Sequence, residues 1–260
     1  FPFLPLINPS SIKLPLLSDC TISVIGLGYV GLPLAIEFSR TTKDCRHGGN
    51  LNRKVIGFDI NPERIYNLNR KIDITNEINQ KDFEEASSLE LTSNEHDIDQ
   101  SSVFILTVPT PVTKTNHPNL EFIEKATETV GKALKRRFEK IKKSKDTYST
   151  PVVIFESTVY PGATEEFCVP ILEKFSNLKL NDKEGFVVGY SPERINPGDK
   201  KRRLPDIVKI TSGSNQSASK WVDNLYGSII KAGTHNASKI NVAEASKVIE
   251  NTQRDLNIAL

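Results

Sequence analysis

Methionine is missing from all 260 residues, and the chain opens on Phe1. A complete translation product begins with methionine, so the expectation is a fragment, truncated or processed at one or both ends. The other end points the same way, because Asn257-Ile258-Ala259-Leu260 breaks off inside a helical pattern with no stop signal. Cysteine is scarce: Cys20, Cys45 and Cys168 form neither a zinc-type pair nor a disulfide framework. That suits a reducing, cytoplasmic setting, and nothing marks a metal site. Long apolar runs are lacking too, which excludes a bilayer-spanning helix. The apolar start, Phe1-Pro2-Phe3-Leu4-Pro5, is broken by proline and lacks the basic flank of a secretory signal. Residues 1–19 therefore read as an irregular extension, a frayed tail packed loosely on the domain. A charge excess is also absent. The 34 Lys and Arg against 32 Asp and Glu leave a net charge of +2, so no overall field draws in nucleic acid or an anionic membrane.

What is present is the composition of a globular protein, 37% hydrophobic and 25% charged. Short runs rich in β-branched residues, without alternation, predict buried strands at 21–25, 54–59, 102–108, 151–155, 186–190 and 207–210. Between them, 32–40 and 120–143 carry helical periodicity, and Asn61-Pro62 supplies a cap and first position for another helix. Residues 41–53, with Gly48-Gly49-Asn50 inside, read as a surface loop, and the lysine-rich 135–145 stretch as a solvated helix end and loop. Strands alternating with helices predict an α/β fold, a Rossmann-type doubly wound and mainly parallel sheet. The expected division is 20–235 as a dinucleotide-binding domain and 236–260 as the start of a helical central domain.

Gly26-Leu27-Gly28-Tyr29-Val30-Gly31 follows the first strand directly and opens a helix. In that context the first glycine allows the tight turn, the second lets backbone approach a pyrophosphate, and the third lets helix and strand pack closely. The helix N-terminus offers unpaired N–H groups to the phosphates. Asp59 closes the second strand, where an acid binds ribose hydroxyls and repels a 2′-phosphate, favouring NAD over NADP. It lies farther from Gly31 than the usual ~20 residues, a surplus the 41–53 loop absorbs.

These residues belong to an ordered series: the glycine turn, Gly57-Phe58-Asp59-Ile60-Asn61, Val108-Pro109-Thr110-Pro111, Glu156-Ser157-Thr158-Val159-Tyr160-Pro161-Gly162, Ser191-Pro192-Glu193-Arg194-Ile195-Asn196-Pro197-Gly198 and Glu244-Ala245-Ser246-Lys247-Val248-Ile249-Glu250-Asn251-Thr252. The series resembles the UDP-glucose/GDP-mannose dehydrogenase family of nucleotide-sugar 6-dehydrogenases. Its wording is most similar to the branch acting on UDP-N-acetylhexosamines for polysaccharide synthesis, the Vi-antigen type. The resemblance implies oxidation of the C6 alcohol of a UDP-sugar to a carboxylate with two NAD⁺. It further implies capture of the intermediate aldehyde by a cysteine thiolate and a homodimer at full length.

Carried over by position, Tyr29, Val30, Arg64, Thr110 and Thr158 join Gly26, Gly28, Gly31 and Asp59 as cofactor contacts, Arg64 meeting an adenosine-side group. Thr158 and Glu193 position water, with Glu193 the proton acceptor. Lys247 stabilises the alkoxide or oxyanion with Asn251 as second donor. Arg194, Ile195 and Asn196 line the substrate side together with Glu193, Lys247 and Asn251. The spacing of Lys247 and Asn251 has independent sense, since i and i+4 share a helical face. Ala245, Val248, Ile249 and Leu256 offer an apolar side for packing. Where UDP-glucose enzymes usually carry a second glutamate this sequence has Pro197, which counts against UDP-glucose itself.

The family's nucleophilic cysteine and its UDP-binding domain lie past Leu260, and none of the three cysteines matches by motif. The chain alone is therefore expected to bind NAD⁺ without completing the oxidation. Two other readings stay open: a 6-phosphogluconate-type β-hydroxyacid dehydrogenase, against which the 191–198 segment argues, and a truncated, non-catalytic NAD-binding protein.

Overall fold

The computed structural model describes residues 12–86, 88–112, 117–144, 146–193 and 203–259. The first strand, β1 (Thr21–Ile25), runs through the glycine turn into α1 (Gly31–Arg40). Next come β2 (Lys54–Phe58), α2 (Pro62–Asn69), α3 (Gln80–Glu85), β3 (Leu89–Thr92), β4 (Val103–Leu106), α4 (Glu121–Ser144) and β5 (Val152–Phe155). A π-helical turn, Thr164–Cys168, leads into α5 (Val169–Ser176). Beyond β6 (Val187–Tyr190) lie β7 (Lys209–Gly213), α6 (Gln216–Gly227), β8 (Thr234–Asn236) and α7 (Ile240–Ala259).

The strands form one eight-stranded sheet in the order β3-β2-β1-β4-β5-β6-β7-β8. All neighbours pair parallel except β6 with β7. The expected doubly wound fold is therefore present. Its strands lack alternation because both faces are covered: Ile22, Val24, Phe38, Trp221 and Tyr226 belong to the core on one side, and Ile25, Phe104, Phe155 and Leu172 to the core on the other. Order reverses between β1 and β4, and the crevice outside their carboxyl ends is where open α/β sheets bind ligands. Cap chemistry agrees with the expectation at α2, where Asn61 accepts from the backbone of Glu63 and Arg64 and Pro62 stands at the first helical position. The 24-residue α4 has Glu121 and Glu124 in its first turn and Lys142 and Lys143 in its last, matching its dipole.

Four expectations change. The described part of the extension is no frayed tail: Ile12, Leu14 and Leu17 pack on the core, and Trp221 Nε1 donates to the Pro15 carbonyl at 2.8 Å. Residues 1–11 lie outside the described residues. The 41–53 loop is stitched down rather than purely superficial. Arg53 is buried and donates to Leu17 O at 2.7 Å and Ser228 Oγ at 2.8 Å, while Arg46 pairs with Asp223 at 2.7 Å. The strand expected at 207–210 begins instead at Lys209, because Ile207 closes the 3₁₀ turn Leu204–Asp206. The apolar side expected on α7 is largely uncovered in this chain, with Val248, Ile249 and Leu256 exposed.

Candidate functional site

Three segments at the carboxyl ends of β1, β4 and β5 converge on a cleft of about 690 Å³. Gly26 turns the chain with φ +92°, a left-handed value that favours glycine. A Cβ on Gly31 would lie 1.9 Å from Gly26 O and 2.3 Å from Thr107 Oγ1, so packing of α1 against the turn demands glycine there. Thr107 holds the same turn from β4, donating to the carbonyls of Ile25 at 3.0 Å and Gly26 at 2.7 Å. Gly28 differs. It is exposed, and a Cβ there would meet nothing within 4 Å, so the fold itself does not require this glycine.

Asp59 is set by the backbone on both oxygens: Oδ2 accepts from Leu27 N at 2.8 Å and Oδ1 from Asn61 N at 2.9 Å. Each oxygen keeps a further acceptor site, and the residue lines the cleft. Tyr29, Val30, Thr110, Thr158 and Glu193 line it as well, with Gly26 and Gly28. The 108–110 and 157–158 segments are tied across the switch point, Thr110 Oγ1 donating to Thr158 O at 2.5 Å and Ser157 Oγ to Val108 O at 2.6 Å. Phe58, Ile60, Pro109 and Phe122 give an apolar wall suited to a ring system.

Arg64 does not line the cleft. Its side chain is 6% exposed, its Nε donates to Leu27 O at 2.9 Å, and it pairs with Asp73 at 2.8 Å. It braces the glycine turn from behind. Asp73 accepts from Thr75, Glu77 and Ile78; burial would raise its pKa, yet the Thr75 and Arg64 hydrogen bonds hold it below the usual value.

At the other end of the cleft, Glu193 and Glu156 are buried. Between them stands Lys209, whose Nζ lies 2.7 Å from Glu156 Oε2 and 3.5 Å from Glu193 Oε2 and donates to Pro192 O at 3.2 Å. Tyr226 donates its hydroxyl to the other oxygen of Glu156. Burial would lower the Lys209 pKa, but the two carboxylates outweigh it and carry it above the ordinary lysine value. Burial, assisted by Glu193 and opposed by Lys209, raises Glu156 above the ordinary carboxylate value. Pro192-Glu193 is thus buried and does not form an exposed turn.

From α7, the buried Lys247 donates to the backbone carbonyl of Glu193. Its burial lowers its pKa below the ordinary lysine value, against the pull of Glu250 and Glu193. Asn251, one turn on, is half-buried and accepts from Arg254 at 2.5 Å. The base of the helix is fixed by Glu244, fully buried, which accepts from Gly162 N at 2.5 Å and Thr164 N at 2.9 Å. Lys247 and Asn251 are thus placed beside the cleft rather than in its lining, and Arg194, Ile195 and Asn196 lie outside the described residues. Sequence reasoning missed Lys209 and Tyr226 altogether and gave Glu156 no role; no local motif announces a lysine in a strand. Among the described residues no group of His, Cys, Asp and Glu could hold a metal ion, and no helix is long and apolar enough to cross a membrane.

A parallel sheet with a glycine turn, a backbone-set aspartate and a ring-sized cleft at the switch point defines a dinucleotide-binding domain of the dehydrogenase class. The sequence profile of the UDP-glucose/GDP-mannose dehydrogenase family, NAD binding domain, matches residues 20–230, and the chain belongs to that family. It is 52% identical over 244 residues to a UDP-N-acetyl-D-glucosamine 6-dehydrogenase of Pseudomonas aeruginosa, covering 94% of this chain and 52% of that protein. It is 48% identical to the enzyme of that name in Salmonella typhi, covering 94% and 51%. Among solved structures, a UDP-D-ManNAc dehydrogenase from Pyrococcus horikoshii superposes with a TM-score of 0.75 at 33% identity, covering 92% and 51%. The chain spans about half the length of the curated relatives it matches.

Proposed function

We propose that this chain is the cofactor-binding portion of an NAD-dependent nucleotide-sugar 6-dehydrogenase. It would oxidise the C6 alcohol of a UDP-sugar, a UDP-N-acetylhexosamine, to the uronic acid for polysaccharide synthesis. The observation that carries the reading is one continuous cleft, with the glycine turn and Asp59 at one end and Glu193 at the other. The residues fit NAD: Gly28 leaves a space that no described residue fills, and Asp59 presents a fixed carboxylate to a ribose. Bound there, NAD⁺ supplies the hydride acceptor.

The chain's own groups do the rest. Gly26, Gly28, Tyr29 and Val30 hold the pyrophosphate side, Asp59 selects against a 2′-phosphate, and Thr110 and Thr158 flank the nicotinamide side. Gly31 and Arg64 keep the turn in shape. Glu193 accepts the proton of the substrate hydroxyl and, with Thr158, orients water. Lys247 reaches the sugar from α7, its lowered pKa reflecting an ammonium short of solvent, and Asn251 serves as second donor. Arg194, Ile195 and Asn196 complete the substrate side. The branch is supported by the names of relatives that are identical to this chain at about half of the aligned positions. A cytoplasmic homodimer is part of the same reading. Titration calorimetry with NAD⁺, NADP⁺ and UDP-sugars tests it: NAD⁺ binds and NADP⁺ binds at least tenfold more weakly (about 1.4 kcal/mol). Equal affinity for the two cofactors would refute the role of Asp59.

A further inference from the structure

Glu156, Lys209 and Glu193 come from three places in the chain, the ends of β5 and β6 and the start of β7, yet meet on one nitrogen. Each is at most 6% exposed; both glutamates are among the residues lining the cleft, the Glu193 side chain keeping 8% of its surface accessible and that of Glu156 none. One ammonium between two carboxylates leaves the cluster one negative charge in excess, which in a buried site favours uptake of one proton by the unit as a whole. The groups facing it are Tyr226 from α6, which donates to Glu156, Tyr190 from β6, and Lys247 from α7, which holds the Glu193 carbonyl.

We propose that Glu156 is a second proton acceptor of this site, reached from Glu193 through the Lys209 ammonium. This rests on the reading of Glu193 as the proton acceptor of the dehydrogenase. A proton that Glu193 takes from the cleft makes it a neutral acid. Lys209 hands one of its protons to Glu156 across 2.7 Å and receives the proton of Glu193 across 3.5 Å. The two transfers are concerted, so free amine does not accumulate. One proton has moved from Glu193 to Glu156, no other bond has changed, and Glu193 is again a base. An alcohol oxidised twice releases protons twice, and a base emptied between the steps serves both. Burial raises the proton affinity of Glu156 above that of an ordinary carboxyl, which favours its taking up the proton.

The test is a ¹³Cδ NMR titration of the glutamates in this chain. Glu156 is expected to follow a two-step curve in the native protein, because its proton is shared with a neighbour that also titrates. Glu193→Gln removes that neighbour and collapses the curve to one step. Lys209→Met removes the shared cation and widens the gap between the steps. Should that variant not fold, Lys209→Arg, which keeps the charge, is expected to retain the two-step curve. A one-step Glu156 curve that Glu193→Gln leaves unchanged overturns the proposal, and so does a one-step curve in Lys209→Arg. Failure to bind NAD⁺ would sink the dehydrogenase reading and leave this titration intact; a one-step curve beside firm NAD⁺ binding would sink the shared proton alone.

Discussion

Two glycines of the same turn are expected to respond in opposite ways to a single added methyl. At Gly31 the new Cβ would sit 1.9 Å from the Gly26 carbonyl oxygen and 2.3 Å from Thr107 Oγ1. Neither can yield cheaply, since the first is backbone and the second is pinned by two hydrogen bonds. Gly31→Ala is therefore expected to destabilise the chain by at least the ~1–3 kcal/mol of an overpacked core. That corresponds to a fall in Tm of several degrees, at about 2–4 °C per kcal/mol. At Gly28 the methyl meets no protein atom within 4 Å, and φ is not left-handed. Gly28→Ala narrows the unfolded ensemble and should stabilise by about 0.4–1 kcal/mol, a Tm rise of about 1–4 °C. On the proposed assignment of the turn, the same methyl would occupy space for the pyrophosphate. An overpacking cost of ~1–3 kcal/mol weakens NAD⁺ binding about 5- to 150-fold. Differential scanning fluorimetry and calorimetry on the two variants read both quantities. A Gly28→Ala protein that binds NAD⁺ as the native chain does would refute the assignment of this turn.

Asp59→Asn should lower NAD⁺ affinity roughly tenfold, as loss of a charge-assisted hydrogen bond does, and raise the NADP⁺ to NAD⁺ affinity ratio in calorimetry. Of the three thiols, only the exposed Cys45 should react rapidly with a disulfide reagent in the folded chain, a count that mass spectrometry gives directly. Burial pushes Cys20 up to about 11 and Cys168 up to about 12 from an ordinary 9.0. The folded state thus keeps protons that the unfolded state gives up. The contribution is complete below pH 9 and is lost as pH climbs toward 11–12, about 3–4 kcal/mol per thiol. Alkaline urea melts that show no such loss would contradict the burial of these thiols. Glu244→Gln should cost about 1–3 kcal/mol and speed amide exchange at the start of α7, because two backbone N–H groups lose a charged acceptor.

Legibility followed the range of each interaction. The glycine turn, the Asn61-Pro62 cap and the strands 21–25 and 151–155 are encoded within a few neighbours, and the structure has them where the pattern puts them. The edge strand Thr234-His235-Asn236 is too short and polar to carry a period, so only its ladder to β7 reveals it. Arg64 stands at the motif position of a cofactor contact, yet a buried partner at Asp73 turns its guanidinium behind the turn. Lys209 resisted reading altogether. Sequence pattern treats a lysine in a strand as solvent-facing, and two carboxylates distant in sequence make it one of the most buried side chains in the molecule.

The anchoring of α7 has a mechanical consequence. Glu244 pins the helix to the turn at Gly162 and Thr164, and Lys247 grips the Glu193 carbonyl one turn later. With a rise of ~1.5 Å per residue, Lys247 stands about 4.5 Å from that fulcrum and Ala259 about 22 Å. A rigid rod hinged at Glu244 is a lever with a ratio of roughly five, so swinging its far tip by about 5 Å moves the lysine by about 1 Å. Whatever braces the exposed Leu256, about 18 Å from the fulcrum, therefore moves Lys247 through a roughly fourfold reduction, whereas Val248 and Ile249 stand beside the lysine and pass displacement on almost undiminished.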